Sequence, residues 1–214
     1  MSDVSRTETR PEYAKLAQRL VAILVERGVL ARERVVIGVA GESGSGKSVT
    51  ATSLARALEA EGHEALVLHQ DDYFHLPPRA NHAARERDIT RVGPGEVNLA
   101  LLQSHVAAYR NGSTRIDKPS ANYPADRFDV DHVDLRDVKV LLLEGTYVVA
   151  LTDLDIRIFM EATSADTLAR RRSRARDVDS PFVERVLVIE HEVIAKQAAL
   201  ADVVVDIHFV ARAR

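Results

Sequence analysis

A glycine-rich octapeptide at residues 41–48 constrains the fold of this chain more than any other feature. It reads Gly-Glu-Ser-Gly-Ser-Gly-Lys-Ser and matches the pattern G-x-x-x-x-G-K-[ST]. A β-branched run at residues 34–41, typical of a strand buried in a parallel sheet, leads into it, and a stretch with helical periodicity follows. Glycines let such a loop fold back so that successive backbone N–H groups point inward at an anion. The sequence therefore predicts a phosphate-binding loop between a strand and a helix.

The side chains of this loop predict a bound nucleoside triphosphate with Mg²⁺. Lys47 supplies a positive charge for the β- and γ-phosphates, and the hydroxyl of Ser48 is suited to ligate the metal ion. The helix that begins here adds the positive end of its dipole. The predicted nucleotide-binding residues are Gly41, Ser43, Gly44, Ser45, Gly46, Lys47, Ser48 and Val49.

Strand and helix signals alternate along the 214 residues, which predicts an α/β protein with a parallel, doubly wound sheet. Helices are expected near residues 12–27, 47–61, 99–109 and 181–200, and strands near 35–41, 65–69, 139–143, 156–160 and 203–207. We expect a three-layer α/β/α fold of the P-loop NTPase type, with a mostly parallel five-stranded sheet, in one domain over residues 1–214. Residues 1–30 would carry an N-terminal helix.

Residues 75–130 are expected to form an insertion on the substrate side of the fold. Its segment from Pro77 to Arg91 is rich in Arg, His and Pro. That composition suits a mobile substrate-side segment and a plain surface loop equally well, and both interpretations remain open from the sequence.

Two carboxylates follow predicted strands directly. Asp71 lies past the end of the second strand and Glu144 past the end of the third. Ligands of open parallel sheets bind at that edge. One such carboxylate can take the proton from an attacking hydroxyl, and another can hold the water shell of a metal ion. Asp72 is expected to be the bystander of the Asp71–Asp72 pair.

Composition argues against several other classes of function. The net charge is −3, which offers no general attraction to nucleic acid or an anionic membrane. There is no cysteine, so disulfides and thiolate metal sites are excluded. Apolar runs are too short to cross a bilayer and the first residues are polar, so a cytoplasmic location without membrane contact is the expectation. No histidine pair has metal-ligand spacing.

Several motifs occur together in an order that resembles the uridine kinase-like family. They are GESGSGKS, QDDYF at residues 70–74, LLLEG at 141–145, an Arg-rich helix end and ADVVVD at 201–206. That family includes uridine-cytidine kinases, phosphoribulokinase, type I pantothenate kinase and nicotinamide riboside kinase, and the similarity covers roughly residues 34–207.

This resemblance implies an ATP-dependent kinase that moves the γ-phosphoryl group onto a hydroxyl of a nucleoside-like metabolite. ATP is then a co-substrate and Mg²⁺ the cofactor. The resemblance implies that Asp71 acts as general base and metal-shell ligand, that Ser48 and Glu144 complete the Mg²⁺ site, and that Tyr73 or Phe74 lines the acceptor pocket. It is also compatible with a homo-oligomer.

The arginines of residues 170–176 resemble the family's lid, which would span residues 170–182. Arg170 and Arg174 are one helical turn apart and can point the same way. In a closed lid they would stabilise charge on the transferring phosphoryl group and exclude water. The alternatives are a solvated basic face or a nucleic-acid patch, and the second is weakened by the lack of interleaved aromatics.

The acceptor side departs from the nucleoside kinases. At residues 92–98 the chain keeps the proline of the family's D-H-P-D-A-F-D segment but loses its leading Asp, and near residue 123 it keeps Tyr123 but loses the Asp and His that follow. Uridine specificity is therefore not implied. Nicotinamide riboside stays open as acceptor, as do pantothenate or a sugar acid bound by Arg79, Arg91 and Arg127. A regulatory ATPase is the remaining alternative; a GTPase would show N-K-x-D, which the sequence lacks.

Overall fold

The computed structural model describes residues 10–167 and 180–214. The helices are α1 (Pro11–Glu26), α2 (Lys47–Ala60), α3 (Pro78–Arg87), α4 (Leu99–Arg110) and α5 (Pro181–Ile194). The strands are β1 (Val35–Gly41), β2 (Ala65–His69), β3 (Arg115–Asn122), β4 (Arg127–Asp134), β5 (Val140–Glu144), β6 (Ile156–Met160), β7 (Val203–Val205) and β8 (Ala211–Ala213).

The main sheet has the strand order β2-β5-β1-β6-β7-β8. The first five of these strands run parallel, as the alternating pattern predicted. Every residue of β1 and β5 is buried, in keeping with their continuous apolar sequence. Because β1 lies between β5 and β6, the chain leaves it at a switch point of the sheet, where ligands of open α/β folds bind.

Helices cover both faces of the sheet, so the three-layer α/β/α architecture is confirmed. One core packs α1 and α2 against side chains such as Val35, Ile37 and Leu142. The other core packs α4 and the end of α5 against alternate residues of the same strands, including Val36 and Leu141. Successive strand residues point to opposite faces, which is why neighbours in sequence belong to different cores.

The main sheet has six strands rather than the predicted five, because an additional strand, β8, pairs antiparallel with β7. Asp206 reverses the chain between them: its Oδ1 accepts hydrogen bonds from the backbone N–H groups of His208 and Val210. Residues 211–213 alternate alanine and arginine and so carry no β-branched signal.

The segment from Pro77 to Arg91 contains a helix and is not a plain surface loop. It forms α3, which starts with Pro78 at its first position, where a missing N–H costs nothing. Asn81 and Arg85 on its inner face hydrogen-bond the buried carboxylate of Glu96 and hold the helix on the domain. Hydropathy gave no signal because hydrogen bonds and ion pairs, rather than an apolar stripe, fix this helix.

An antiparallel hairpin, β3–β4, follows α4 and stands apart from the main sheet. The sequence analysis assigned no strands here. Both strands are dominated by polar and charged residues, so their alternation is weak. Lys118 and Ala121 in β3 bind the carboxylate of Asp72, which places the hairpin over the end of β2.

Candidate active site

The phosphate loop has the backbone that its glycines allow. Gly41, Gly44 and Gly46 all have positive φ, a region that other residues rarely adopt. At Gly46 a Cβ atom would also lie 2.5 Å from the hydroxyl of Tyr13 in α1. The turn ends directly in α2, whose first residue is Lys47, so the positive end of that helix faces the loop. The predicted nucleotide-binding residues all lie in this turn or the first turn of α2.

Lys47 and Ser48 converge on Glu144, as the sequence analysis expected of a magnesium and phosphate site. The Ser48 hydroxyl donates a hydrogen bond of 3.0 Å to Oε1 of Glu144, and Nζ of Lys47 is 3.9 Å from the same oxygen. Glu144 ends β5 and is only 4% exposed.

A hydroxyl oxygen beside a carboxylate oxygen is a donor set that suits Mg²⁺, which uses one or two carboxylates and keeps several waters. The residues present therefore fit the ion. In residues 10–167 and 180–214 no group of three or more His, Cys, Asp or Glu side chains could hold a metal ion as an all-protein cage.

His69 is a member of this site that the sequence analysis missed. Its Nδ1 lies 2.9 Å from Oε2 of Glu144, so the carboxylate is engaged on both oxygens. The hydrogen bond to Glu144 raises the pKa of His69 above its usual value, although burial opposes the shift. The signal that would have indicated His69 is the register between two strands. β2 and β5 are parallel neighbours, and His69 pairs directly with Glu144 at their ends.

Burial alone would raise the pKa of Glu144. The hydrogen bond from His69 and the positive charge of Lys47 outweigh that effect, and the pKa of Glu144 falls below its usual value. Glu144 therefore stays ionised at neutral pH, which is the form that a metal ion or a lysine ammonium requires.

Asp71 lies in the short 3₁₀ segment Gln70–Tyr73 that follows β2. One side of it reaches solvent, but the protein surrounds the rest of the carboxyl, and this burial raises its pKa. The charge of Lys47 lowers the pKa and the nearby Glu144 raises it again. A carboxylate with a raised pKa that reaches solvent beside the charges of Lys47 and Glu144 is suited to accept a proton.

Asp72, the residue of the pair expected to take no part in the chemistry, binds the hairpin. Its Oδ2 accepts a hydrogen bond of 2.6 Å from Nζ of Lys118, and its Oδ1 accepts one of 2.9 Å from the backbone N–H of Ala121. Lys118 is buried, so this ion pair is shielded from water. The two neighbouring aspartates thus differ: Asp71 interacts with the charges of Lys47 and Glu144, whereas Asp72 holds the hairpin.

The residues predicted on the acceptor side are spread over several environments. Tyr73 is 1% exposed, with its hydroxyl 2.9 Å from Nδ1 of His105, so it belongs to the core. Phe74 is half-buried and forms an isolated bridge with Val97. Tyr123 is exposed at the hairpin turn and, with Pro78, Arg79 and His82 of α3, lines a cavity of about 660 Å³. Arg127 is exposed and donates a hydrogen bond to Asp129.

A buried charge cluster, formed by Arg85, Glu96 and Glu190, lies between α3 and α5 and was not foreseen. Arg85 binds both oxygens of Glu96, at 2.7 and 2.8 Å, and Oε1 of Glu190 at 3.0 Å. Burial raises the pKa of Glu190, although the charge of Arg85 opposes the shift. The hydroxyl of Tyr147, whose pKa the charges of all three influence, is buried and has no hydrogen-bond partner among the described residues.

Two members of this charge cluster, Arg85 and Glu190, line a second, smaller cavity next to the phosphate loop, with a volume of about 170 Å³. Its walls are Ser43, His82, Arg85, Phe182, Val183, Val186, Leu187 and Glu190. Sequence could not have indicated it, because its members come from three segments that are far apart along the chain.

The arginines predicted to act from the lid, Arg170 and Arg174, lie outside the described residues. The chain that leads to them starts with a turn at Thr163: its Oγ1 accepts a hydrogen bond from the backbone N–H of Asp166, whose carboxylate accepts one from the N–H of Thr163. Among residues 10–167 and 180–214, no helix is long and apolar enough to cross a membrane.

Comparison with known proteins agrees with this geometry. The family model described as "Phosphoribulokinase / Uridine kinase family" matches residues 36–205. A uridine kinase of Listeria monocytogenes is 30% identical over 82% of this chain and 88% of its own length. The bifunctional alpha-galactosidase/sucrose kinase of Mediterraneibacter gnavus is 31% identical over 82% of this chain, and the chain spans about a fifth of that relative, 20%.

Solved structures share the fold. The phosphoribulokinase of Rhodobacter spheroides superposes with a TM-score of 0.62 at 16% identity, over 81% of this chain and 70% of that one. A D-glycerate 3-kinase of Cryptococcus neoformans gives a TM-score of 0.63 at 13% identity, over 93% and 99%. The ordered motifs, the fold and the match over residues 36–205 agree, and the chain belongs to the phosphoribulokinase and uridine kinase family of small-molecule kinases.

Proposed function

We propose that this kinase phosphorylates a hydroxyl of an uncharged, sugar-containing small molecule, such as a nucleoside or a saccharide, with Asp71 as the general base. The observation that carries the acceptor class is the charge of the cleft. Arg85, which lines the cavity beside the phosphate loop together with Ser43, is already neutralised by Glu96 and Glu190.

Two of the three arginines considered for an acidic acceptor are also engaged. Arg79 donates to the backbone carbonyls of Tyr123 and Pro124, and Arg127 is paired with Asp129. Carboxylates such as Asp71 and Glu190 accept hydrogen bonds from hydroxyls but repel an acidic acceptor. The names of two relatives, uridine kinase and sucrose kinase, refer to uncharged acceptors that contain sugar, which supports the same class.

In the proposed reaction the acceptor oxygen attacks the γ-phosphorus of ATP, the bond to the β,γ-bridging oxygen breaks, and ADP leaves. Asp71 accepts the hydroxyl proton, and Lys47 with the loop N–H groups binds the phosphates. Ser48 and Glu144 would hold Mg²⁺, which when bound neutralises phosphate charge. Arg170 and Arg174 are proposed to stabilise the transferring group. The protein mainly positions groups and stabilises charge.

The experiment is ADP release from Mg-ATP with acceptor pairs that differ in one carboxylate: glucose against glucuronate and glycerol against glycerate. Uridine, cytidine, nicotinamide riboside, pantothenate and sucrose complete the panel. Asp71→Asn is the blank, and Asp137→Asn, an exposed aspartate before β5 at the opposite edge of the sheet, is the matched control.

Stimulation by a neutral acceptor, lost in Asp71→Asn and kept in Asp137→Asn, is the expected result. Preference for the carboxylated member of a pair would refute the acceptor class. Slow hydrolysis that no acceptor accelerates would favour a regulatory ATPase instead.

A further inference from the structure

Glu42 occupies a variable position of the phosphate-loop pattern, yet the structure buries its carboxylate. It is 6% exposed, and both of its oxygens are engaged. Oε2 accepts a hydrogen bond of 2.6 Å from the backbone N–H of Ser164, and Oε1 lies 2.6 Å from Nδ1 of His191. A buried carboxylate needs such partners, because leaving a charge unpaired in the interior is costly.

The two partners of Glu42 come from separate elements. Ser164 belongs to the turn after β6, which the Thr163–Asp166 hydrogen bonds hold in shape. His191 belongs to α5. Both elements flank residues 168–179, which contain the arginines predicted to form the lid. Glu42 thus connects the phosphate loop to both elements, and the hydroxyl of Thr167 adds a hydrogen bond of 3.4 Å to the carbonyl of Ser43.

The helix α5 also reaches the acceptor side. Glu190, the residue before His191, binds Arg85 of α3. Helix α5 therefore contacts the phosphate loop through His191 and the wall of the acceptor cleft through Glu190.

We propose that Glu42 is a positioning residue, which keeps the phosphate loop in its nucleotide-binding shape by tying it to α5 and to the turn at Ser164. The inference rests on the proposed function in that it assumes that the loop binds ATP. A loop held in its bound conformation avoids the cost of ordering when the ligand arrives. Loss of the contacts of Glu42 with Ser164 and His191 should therefore weaken nucleotide binding and leave the KM for the acceptor nearly unchanged.

The test is a double-mutant cycle of Glu42→Ala and His191→Ala, with Glu192→Ala as the control, because Glu192 is an exposed carboxylate on the same helix. The readouts are the Kd for Mg-ADP by calorimetry, the KM values for ATP and acceptor, and kcat. We expect Glu42→Ala to weaken Mg-ADP binding roughly tenfold, His191→Ala to weaken it severalfold, and the double variant to bind no worse than Glu42→Ala. Glu42→Gln should retain most of the affinity, because its amide oxygen can still accept from Ser164.

A Glu42→Ala variant that binds Mg-ADP within twofold of the wild type, or more tightly, would overturn the proposal. So would effects of the two substitutions that simply add, or a Glu42→Gln variant as impaired as Glu42→Ala. If Glu42→Ala does not fold, the Kd values of His191→Ala and Glu42→Gln for Mg-ADP test the proposal in its place. Because Mg-ADP binding needs no acceptor, failure to find an acceptor leaves this result unaffected.

Discussion

Replacing Arg85 by methionine should destabilise the protein strongly, because the substitution removes the positive charge that compensates the carboxylates of Glu96 and Glu190. The side chain of Glu96 is 1% exposed and that of Glu190 is 14% exposed, while Arg85 itself is 15% exposed. Methionine keeps much of the volume but supplies no charge. Removal of one partner from a buried ion pair costs about 3–5 kcal/mol. Glu96 keeps its hydrogen bonds from Asn81 and Gly93, so the lower end of that range is expected.

The loss of stability caused by Arg85→Met should depend on pH. Burial already raises the pKa of Glu190, and Arg85 is the main influence that lowers it, so the variant raises this pKa further. A carboxyl whose folded-state pKa lies above its unfolded value binds its proton more tightly in the folded state. Stability is then lost as pH rises above the unfolded pKa. The variant should therefore lose more stability at pH 8 than at pH 5.

Urea unfolding followed by circular dichroism at both pH values measures these differences. Arg87→Met is the control, since Arg87 lies exposed on the same helix. A loss of about 3 kcal/mol corresponds to a decrease in Tm of roughly 6–12 °C for a chain of this size. If Arg85→Met stayed within about 1 kcal/mol of Arg87→Met, or if its loss were equal at both pH values, the inference of a buried charge cluster would be refuted.

Three further predictions concern the site and the core. Lys47→Ala and Asp71→Asn should each lower turnover at least about a hundredfold with unchanged circular dichroism; near-normal turnover in Asp71→Asn would disprove its role as base. Gly145→Ala should lower the free energy of unfolding by roughly 1–3 kcal/mol, because the added Cβ would lie 2.2 Å from Cβ of Gln70; an unchanged urea midpoint would contradict this packing. Burial and the nearby charge of a lysine lower the pKa of His105, so stability should fall as pH drops below about 6.5, and His105→Gln should reduce the decrease in Tm between pH 7 and pH 5; a decrease of the same size would argue against it.

The parts of the fold that could be predicted from sequence are those governed by local patterns. Strand β6 and the start of α2 were predicted at the residues where they occur, because apolar runs and the glycine-rich turn are local signals. The convergence of Ser48 and Glu144 followed from a general rule, that the carboxyl ends of parallel strands meet at one edge.

What could not be predicted depends on contacts between distant segments. Arg85 and Glu190 are 105 residues apart, and nothing in either segment indicates the other. The hairpin was missed because its strands are mostly polar: Ile116 and Val133 pack on the core at its base, and Asp72 binds β3 further along. To predict that His69 belongs to the site would have required the register between β2 and β5, which the pattern within a single strand does not contain.

The antiparallel strand β8 has a consequence for how copies of this protein behave at high concentration. Without residues 211–213, the all-valine strand β7 would present a free row of backbone donors and acceptors, which is a template for pairing with another chain. The strand that occupies this position is three residues long, and Arg212, held by Asp206, adds positive charge to it. An edge this short offers little length to pair, so this end of the sheet is protected against edge-to-edge aggregation.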